Sequence, residues 1–306
     1  MAQLPHHAAR RRWLLGLTAG ALGGLAGLVT CSGGAHDPYN GADAPRAGLL
    51  PNPLAAPGVA WVLGSGGPRG MAHVGVLKAL VSLGLRPSMV VGSSVGALVG
   101  VLYAAGLPMA QIETLALEIG LTDVVRPHLT GPGWVSAAGV VGWVNGAVQI
   151  PLLEQLPLPF VPVAMHLPTR QPIAFTRGHV GAALHAACAI EGQFAPVMIQ
   201  GQRYADADLA VPLPVRLARR LGAQRVLAID VSAHEDKAPS GTEAWRDGDL
   251  RKRALTTPDA QQANVLLHPD MGYYAGMRRA WREMVIRVAE ADTLRHANAL
   301  RTLHGA

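Results

Sequence analysis

The stretch Val90–Gly100, VVGSSVGALVG, constrains the fold of this chain more than any other. A β-branched run passes into a run of helix formers through a serine with glycine two residues to either side. Turning a buried strand into a helix over so few residues strains the backbone of the central residue, Ser94, and glycines at 92 and 96 remove the Cβ atoms that would collide. The hydroxyl is left exposed at the turn. The helix that follows points its unpaired N–H groups and the positive end of its dipole toward it. A second strand, glycine-rich loop and helix precede this one: Val59–Leu63, then Gly64-Ser65-Gly66-Gly67-Pro68-Arg69-Gly70, then an amphipathic helix through Leu83 closed by Gly84. Two successive β-loop-α units predict parallel strands covered by helices.

The remainder is consistent with one large α/β domain. Half of the 306 residues are hydrophobic and 15% charged, enough apolar mass for a sizeable core and too little charge for a disordered chain. PMAQIETLALEIG, at 108–120, predicts a helix. Residues 124–170, rich in Pro, Gly and Trp, suggest a partly structured lid or interface, in which Trp134 and Trp143 either contact lipid or simply pack. A strand at 173–175, a helix at 180–189, a core strand at 226–232, a mobile polar loop over 233–262, a strand in ANVLLHP and a long helix over 276–303 complete the reading.

The N-terminus carries Arg10-Arg11-Arg12 before an uncharged apolar stretch, Trp13 to Thr30, the layout of an export signal of twin-arginine type. Leu28-Val29-Thr30-Cys31 resembles a lipoprotein cleavage box in which Cys31 becomes the lipidated first residue; the alternative is an uncleaved anchor, since about 18 apolar residues just span a bilayer. Either way the body is expected outside the cytoplasm or against a membrane. Residues 1–31 are therefore taken as the signal, 32–57 (Gly-, Pro- and Ala-rich, without period) as a flexible linker, and 58–306 as the folded domain. Of the net +6, three charges are the leader arginines, and the +3 that remains gives no basis for a nucleic-acid partner. With Cys31 lipidated, Cys188 has no disulfide partner and is expected as a small buried thiol.

Three stretches carry chemistry. The first is the Ser94 elbow. In the second, 64–70, glycines let amide groups approach an anion. A dinucleotide loop would need glycine at position 69, where Arg69 stands, and no acidic residue ends a strand about twenty residues on. The alternative is an oxyanion hole of the Gly66 and Gly67 amides with Arg69 and Gly70; Pro68 has no N–H to give. The third stretch, RYADADLAVPLPV at 203–215, places Asp206 and Asp208 two residues apart, by itself an acidic turn.

Together and in this order, VLGSGGPRGMAHVGVLKAL, VVGSSVGALVGVLYAAG and ACAIEGQFAPVMIQGQRYADADLAVPLPV resemble the patatin-like phospholipase family over residues 59–231, and VLLHPDMGYYAG also looks like a family segment. The resemblance implies a three-layer α/β/α sandwich with a mainly parallel central sheet. It further implies acyl-ester hydrolysis by a Ser-Asp dyad acting on a lipid or lysophospholipid at a membrane surface, without metal or cofactor. Ser94 falls on the nucleophile, Asp206 on the proton acceptor, and Gly66, Gly67, Arg69 and Gly70 on the oxyanion loop. Four positions depart from the family's pattern. Asp206-Ala207-Asp208 replaces D-G-G or D-G-A, which puts a methyl group where glycine's freedom is usual and a second carboxylate beside the first. Ser65 replaces a common glycine, and Glu191 a common proline.

Two competing readings remain at this level. A Ser-His-Asp hydrolase would need a late histidine, for which His234, His268, His296 and His304 qualify by order. A catalytically impaired, membrane-associated binding protein would account for the D-A-D variation.

Overall fold

The computed structural model describes residues 37–50, 58–128 and 135–305. The leader, Cys31 and Trp134 lie outside the described residues. Among the described residues no helix is long and apolar enough to cross a membrane.

The strands are β1 (Arg46–Ala47), β2 (Val59–Leu63), β3 (Met89–Ser93), β4 (Arg126–Pro127), β5 (Val135–Ser136), β6 (Phe160–His166), β7 (Gln171–Arg177), β8 (Val197–Ile199), β9 (Gln202–Asp206), β10 (Arg225–Ile229) and β11 (Val265–Leu267). The helices are α1 (Met71–Ser82), α2 (Val95–Ala104), α3 (Met109–Glu118), α4 (Leu121–Val124), α5 (Gly139–Val148), α6 (Val180–Ala187), α7 (Val215–Arg220), α8 (Glu243–Ala260), α9 (Arg279–Arg295) and α10 (Ala297–His304). The main sheet runs β1-β7-β6-β3-β2-β10-β11, with β9 pairing β6 and β8. From β11 to β6 the neighbours are parallel, and β7, β1, β8 and β9 add antiparallel pairs on one side.

The sheet is mainly parallel because β2 and β3 are buried on both faces, as their unbroken apolar runs require. Alternate residues of β2 enter opposite layers. Trp61 and Leu63 pack with α1, α2 and α9, whereas Ala60 and Val62 pack with Val215, Leu217 and Ala218 of α7. This is the three-layer sandwich the resemblance implied.

Four segments differ from the sequence reading. Residues 37–50 are no free tether: Ala44 is 2% exposed, β1 pairs with β7, Asp37 accepts from the amides of Tyr39 and Gly201, and the Tyr39 hydroxyl meets His185 Nδ1 at 3.0 Å. The irregular 124–170 region contains α5 and the central strand β6, and Trp143 packs against the core. The polar loop of 233–262 holds the eighteen-residue helix α8, anchored where buried Asp259 accepts from Arg216 N at 2.7 Å, Nε at 3.0 Å and Nη2 at 2.8 Å. The C-terminal helix breaks at His296 into α9 and α10.

Candidate active site

Sheet register builds the site. Along one edge of β6, β3 pairs in parallel up to Ser93 opposite Val163; from the next residue, Ala164, β9 takes over antiparallel, with Asp206 opposite Ala164. The two strands therefore run toward each other, and their C-terminal ends meet. β3 ends in the serine elbow, and β9 ends in Asp206. The neighbouring strand β2, with Leu63 opposite Gly92, delivers the glycine loop to the same place.

At the elbow Ser94 has φ 55° and ψ −124°, a strained conformation for a residue with a side chain, of the sort that costs about 1–3 kcal/mol and persists only where packing dictates it. The turn depends on Gly96, where an added Cβ would overlap the Leu63 carbonyl oxygen. The Ser94 carbonyl caps α2 by accepting from Ala97 N at 2.8 Å and Leu98 N at 3.2 Å. The buried, free Cys188 thiol also points at that carbonyl, at 3.8 Å. Ser94 is only 8% exposed, so the serine expected to stand exposed at the turn is instead buried beneath the packed loop and elbow.

Asp206 is 1% exposed. Its amide donates to Ala189 O at 2.8 Å, and its Oδ1 accepts from Asp208 N at 2.8 Å. Burial pushes the carboxyl up to about 7; the Ser94 hydroxyl opposes this as a hydrogen-bonding neighbour, the Asp208 charge adds to it, and Lys252 opposes it. Oδ2 is buried with no closed hydrogen bond. Serine and aspartate are thus apposed but not locked, a slack that is common before substrate draws a catalytic pair together. Ala207 is buried in the short 3-10 turn after β9 and has no left-handed backbone, so the methyl group at this departure introduces no strain.

In the glycine loop, Gly64 N donates to Ile229 O at 3.0 Å and Ser65 N to Pro212 O at 2.8 Å. Buried His73 holds the Gly64 carbonyl through Nε2 at 2.8 Å, and burial drops its pKa to about 4, which keeps the ring neutral. Among the described residues no hydrogen bond engages the amides of Gly66 and Gly67. The Arg69 amide closes the turn onto Gly66 O at 3.2 Å and is not spare for an oxyanion. Its guanidinium instead ties the loop to the carbonyls of Gly272 (3.0 Å) and Tyr273. Gly70 lies against Val95 so closely that a Cβ would overlap that side chain, which seats the loop on the elbow.

The sequence-derived residues therefore converge, and two further ones join them. Ser65 donates to Asp208 Oδ1, and Lys252 of α8 bonds the same oxygen at 2.7 Å. Lys252 carried no sequence signal, because its partner lies 44 residues away. The late histidines go elsewhere. His268 meets Ser232 O and stacks on His234, His296 meets Asp292 O, and His304 is held by Trp61 Nε1 and Leu300 O.

Known proteins resemble this sequence in part. The family model for patatin-like phospholipase matches residues 61–219. An uncharacterized NTE family protein of Mycobacterium tuberculosis is 33% identical over 221 residues, 70% of this chain and 61% of that protein. Lysophospholipase NTE1 of Mycosarcoma maydis is 28% identical over 215 residues, 66% of this chain and 11% of that much longer protein. The crystal structure of VipD from Legionella pneumophila superposes with a TM-score of 0.47 at 10% identity, covering 83% of this chain and 70% of that one. This chain thus spans about three-fifths of the length of its mycobacterial relative. With more than half of its residues matched by the family model, the chain belongs to the patatin-like phospholipase family.

Proposed function

We propose that this protein hydrolyses fatty acyl esters of lipids through a Ser94–Asp206 dyad. The observation that carries the reading is the head-on meeting of β3 and β9 along β6, which apposes a strained serine and a carboxyl held near neutrality. Ser94 Oγ attacks the ester carbonyl carbon while its proton passes to Asp206. The oxyanion that forms is taken by the amides of Gly66, Gly67 and Val95, where each donor is typically worth about 3 kcal/mol. Collapse expels the alcohol, which takes the proton back from Asp206. Water, deprotonated by the same carboxylate, then releases the fatty acid and restores the serine. The chemistry calls for no metal or cofactor.

The substrate class follows from the family and from the lysophospholipase named among the relatives, so a phospholipid or lysophospholipid is the first candidate. The basic-then-apolar leader supports an exported protein working at a membrane surface, with Cys31 as its anchor. Hydrolysis of a chromogenic acyl ester by wild type, Ser94→Ala and Asp206→Asn, followed by a panel of lipids, tests the reaction. Activity retained in either folded variant would overturn the dyad. Mass spectrometry of the mature N-terminus tests the anchor, with an acylated Cys31 expected; an intact leader would overturn it.

A further inference from the structure

Asp208 stands where three separate elements come together. Its Oδ1 accepts from the Ser65 hydroxyl of the glycine loop and from Lys252 Nζ of α8 at 2.7 Å, and its amide donates to Asp206 Oδ1 at 2.8 Å. Ser65 is fixed in turn by its amide on Pro212 O and leads directly into Gly66 and Gly67. Two of this chain's departures from the usual family pattern, a serine at 65 and an acid at 208, are therefore each other's partners. A glycine at either position would leave the pair unmade.

We propose that Asp208 is a positioning residue which, gripped by Ser65 and Lys252, locks the glycine loop and α8 onto Asp206 and sets the charge balance around that carboxyl. Its catalytic consequence rests on the reading of Asp206 as proton acceptor; the network itself does not. The groups facing Asp206 are the Ser94 hydroxyl from the elbow, the Cys188 thiol at the end of α6, the Asp208 carboxylate and, behind it, Lys252. Cys188 is neutral, because burial and the Asp206 charge both lift its pKa well above the ordinary thiol value. Burial would also raise Asp208, but Lys252 and the Ser65 hydroxyl outweigh it and keep that carboxyl below the usual value. Asp208 and Lys252 thus act on Asp206 with opposite sign. The ion pair is partly shielded, with 22% of the Lys252 side chain and 32% of the Asp208 side chain exposed, so its charges are screened less than those of a free surface pair.

The test is a carbon-13 titration of aspartate carboxyls, with the Asp206 resonance assigned by its loss in Asp206→Asn. It is run on wild type, Lys252→Met, Asp208→Asn and the double variant, alongside the pH dependence of fluorophosphonate labelling at Ser94. Lys252→Met leaves an unpaired negative charge beside Asp206 and should raise its midpoint by about one pH unit; Asp208→Asn should lower it by a similar amount. The double variant should return to within about 0.3 of the wild-type midpoint, a cancellation that mere loosening of structure would not give. Labelling at pH 8 should also fall about tenfold in Ser65→Ala as the donor loop loosens. Midpoints unchanged in both single variants would overturn the proposal and reduce Asp208 to a surface ion pair. Shifted midpoints in a protein that never takes the fluorophosphonate would uphold the network while contradicting the acyl-hydrolase reading.

Discussion

Asp206 shows in one residue how this site sets function against stability. Buried Asp206 has its pKa raised from 3.8 to about 7 by desolvation, so between those values the folded protein holds a proton that the unfolded chain releases. The unfolded state then binds fewer protons, and stability falls as pH rises from about 4 to about 7, after which it levels. Asp206→Asn should accordingly melt higher than wild type at pH 8 and with it near pH 4, which differential scanning calorimetry at the two pH values would show. The same ionisation is what the proposed chemistry needs. The rate constant kcat/KM for an acyl ester should rise with pH through a limb near 7 and stay high above it, because only the carboxylate accepts the serine proton. Activity that falls over this range would argue that Asp206 works protonated. His73 belongs to this scale as well: neutral and buried, it supports the glycine loop through Gly64.

Among the elements, the sequence showed the parts of the site but not the strand that joins them. The β2–loop–α1 and β3–elbow–α2 units were plain because unbroken apolar runs end in glycines at fixed offsets. β6 was hidden by Pro162, which removes a ladder donor and reads as a strand breaker, yet here sits opposite Gly92 in the middle of the sheet. Without β6 the approach of Asp206 to Ser94 could only be inferred from the family resemblance. α8 was hidden for the opposite reason: it is polar on most sides and contains Gly248 and Pro258, so it has no apolar stripe to give it away. It is held to α7 by a fully buried carboxylate. Asp259→Ala should lower the unfolding free energy by about 2 kcal/mol, less than for a wholly buried pair because half of the Arg216 side chain can turn to water. A urea titration would check this. The 37–50 segment is hidden because its anchors are scattered, from Asp37, Tyr39, Ala44 and the two-residue strand β1, with no period to reveal them.

For the molecule as a whole, the part that matches the family is not the whole of the core. The family match ends at residue 219, but β10 fills the sheet beyond β2, and Val285, Ile286, Ala289, Leu300 and Leu303 of the C-terminal helices complete the core over α1. Gly75 of α1 lies so near the Ile286 carbonyl that a side chain there would overlap it. A fragment ending at residue 220 should therefore lose cooperative unfolding and bind a hydrophobic dye, while the protein containing residues 37–306 melts in one transition. The central claim is that the fold brings an activated Ser94 against the carboxylate that β9 carries in along the same edge of β6. Its most direct test is fluorophosphonate labelling of the intact protein, with the modified residue located by peptide mass. The account predicts a single adduct on Ser94 that forms at least about a hundredfold more slowly in Asp206→Asn. A folded protein that takes no label, or one that labels equally fast with and without the Asp206 carboxylate, would contradict it.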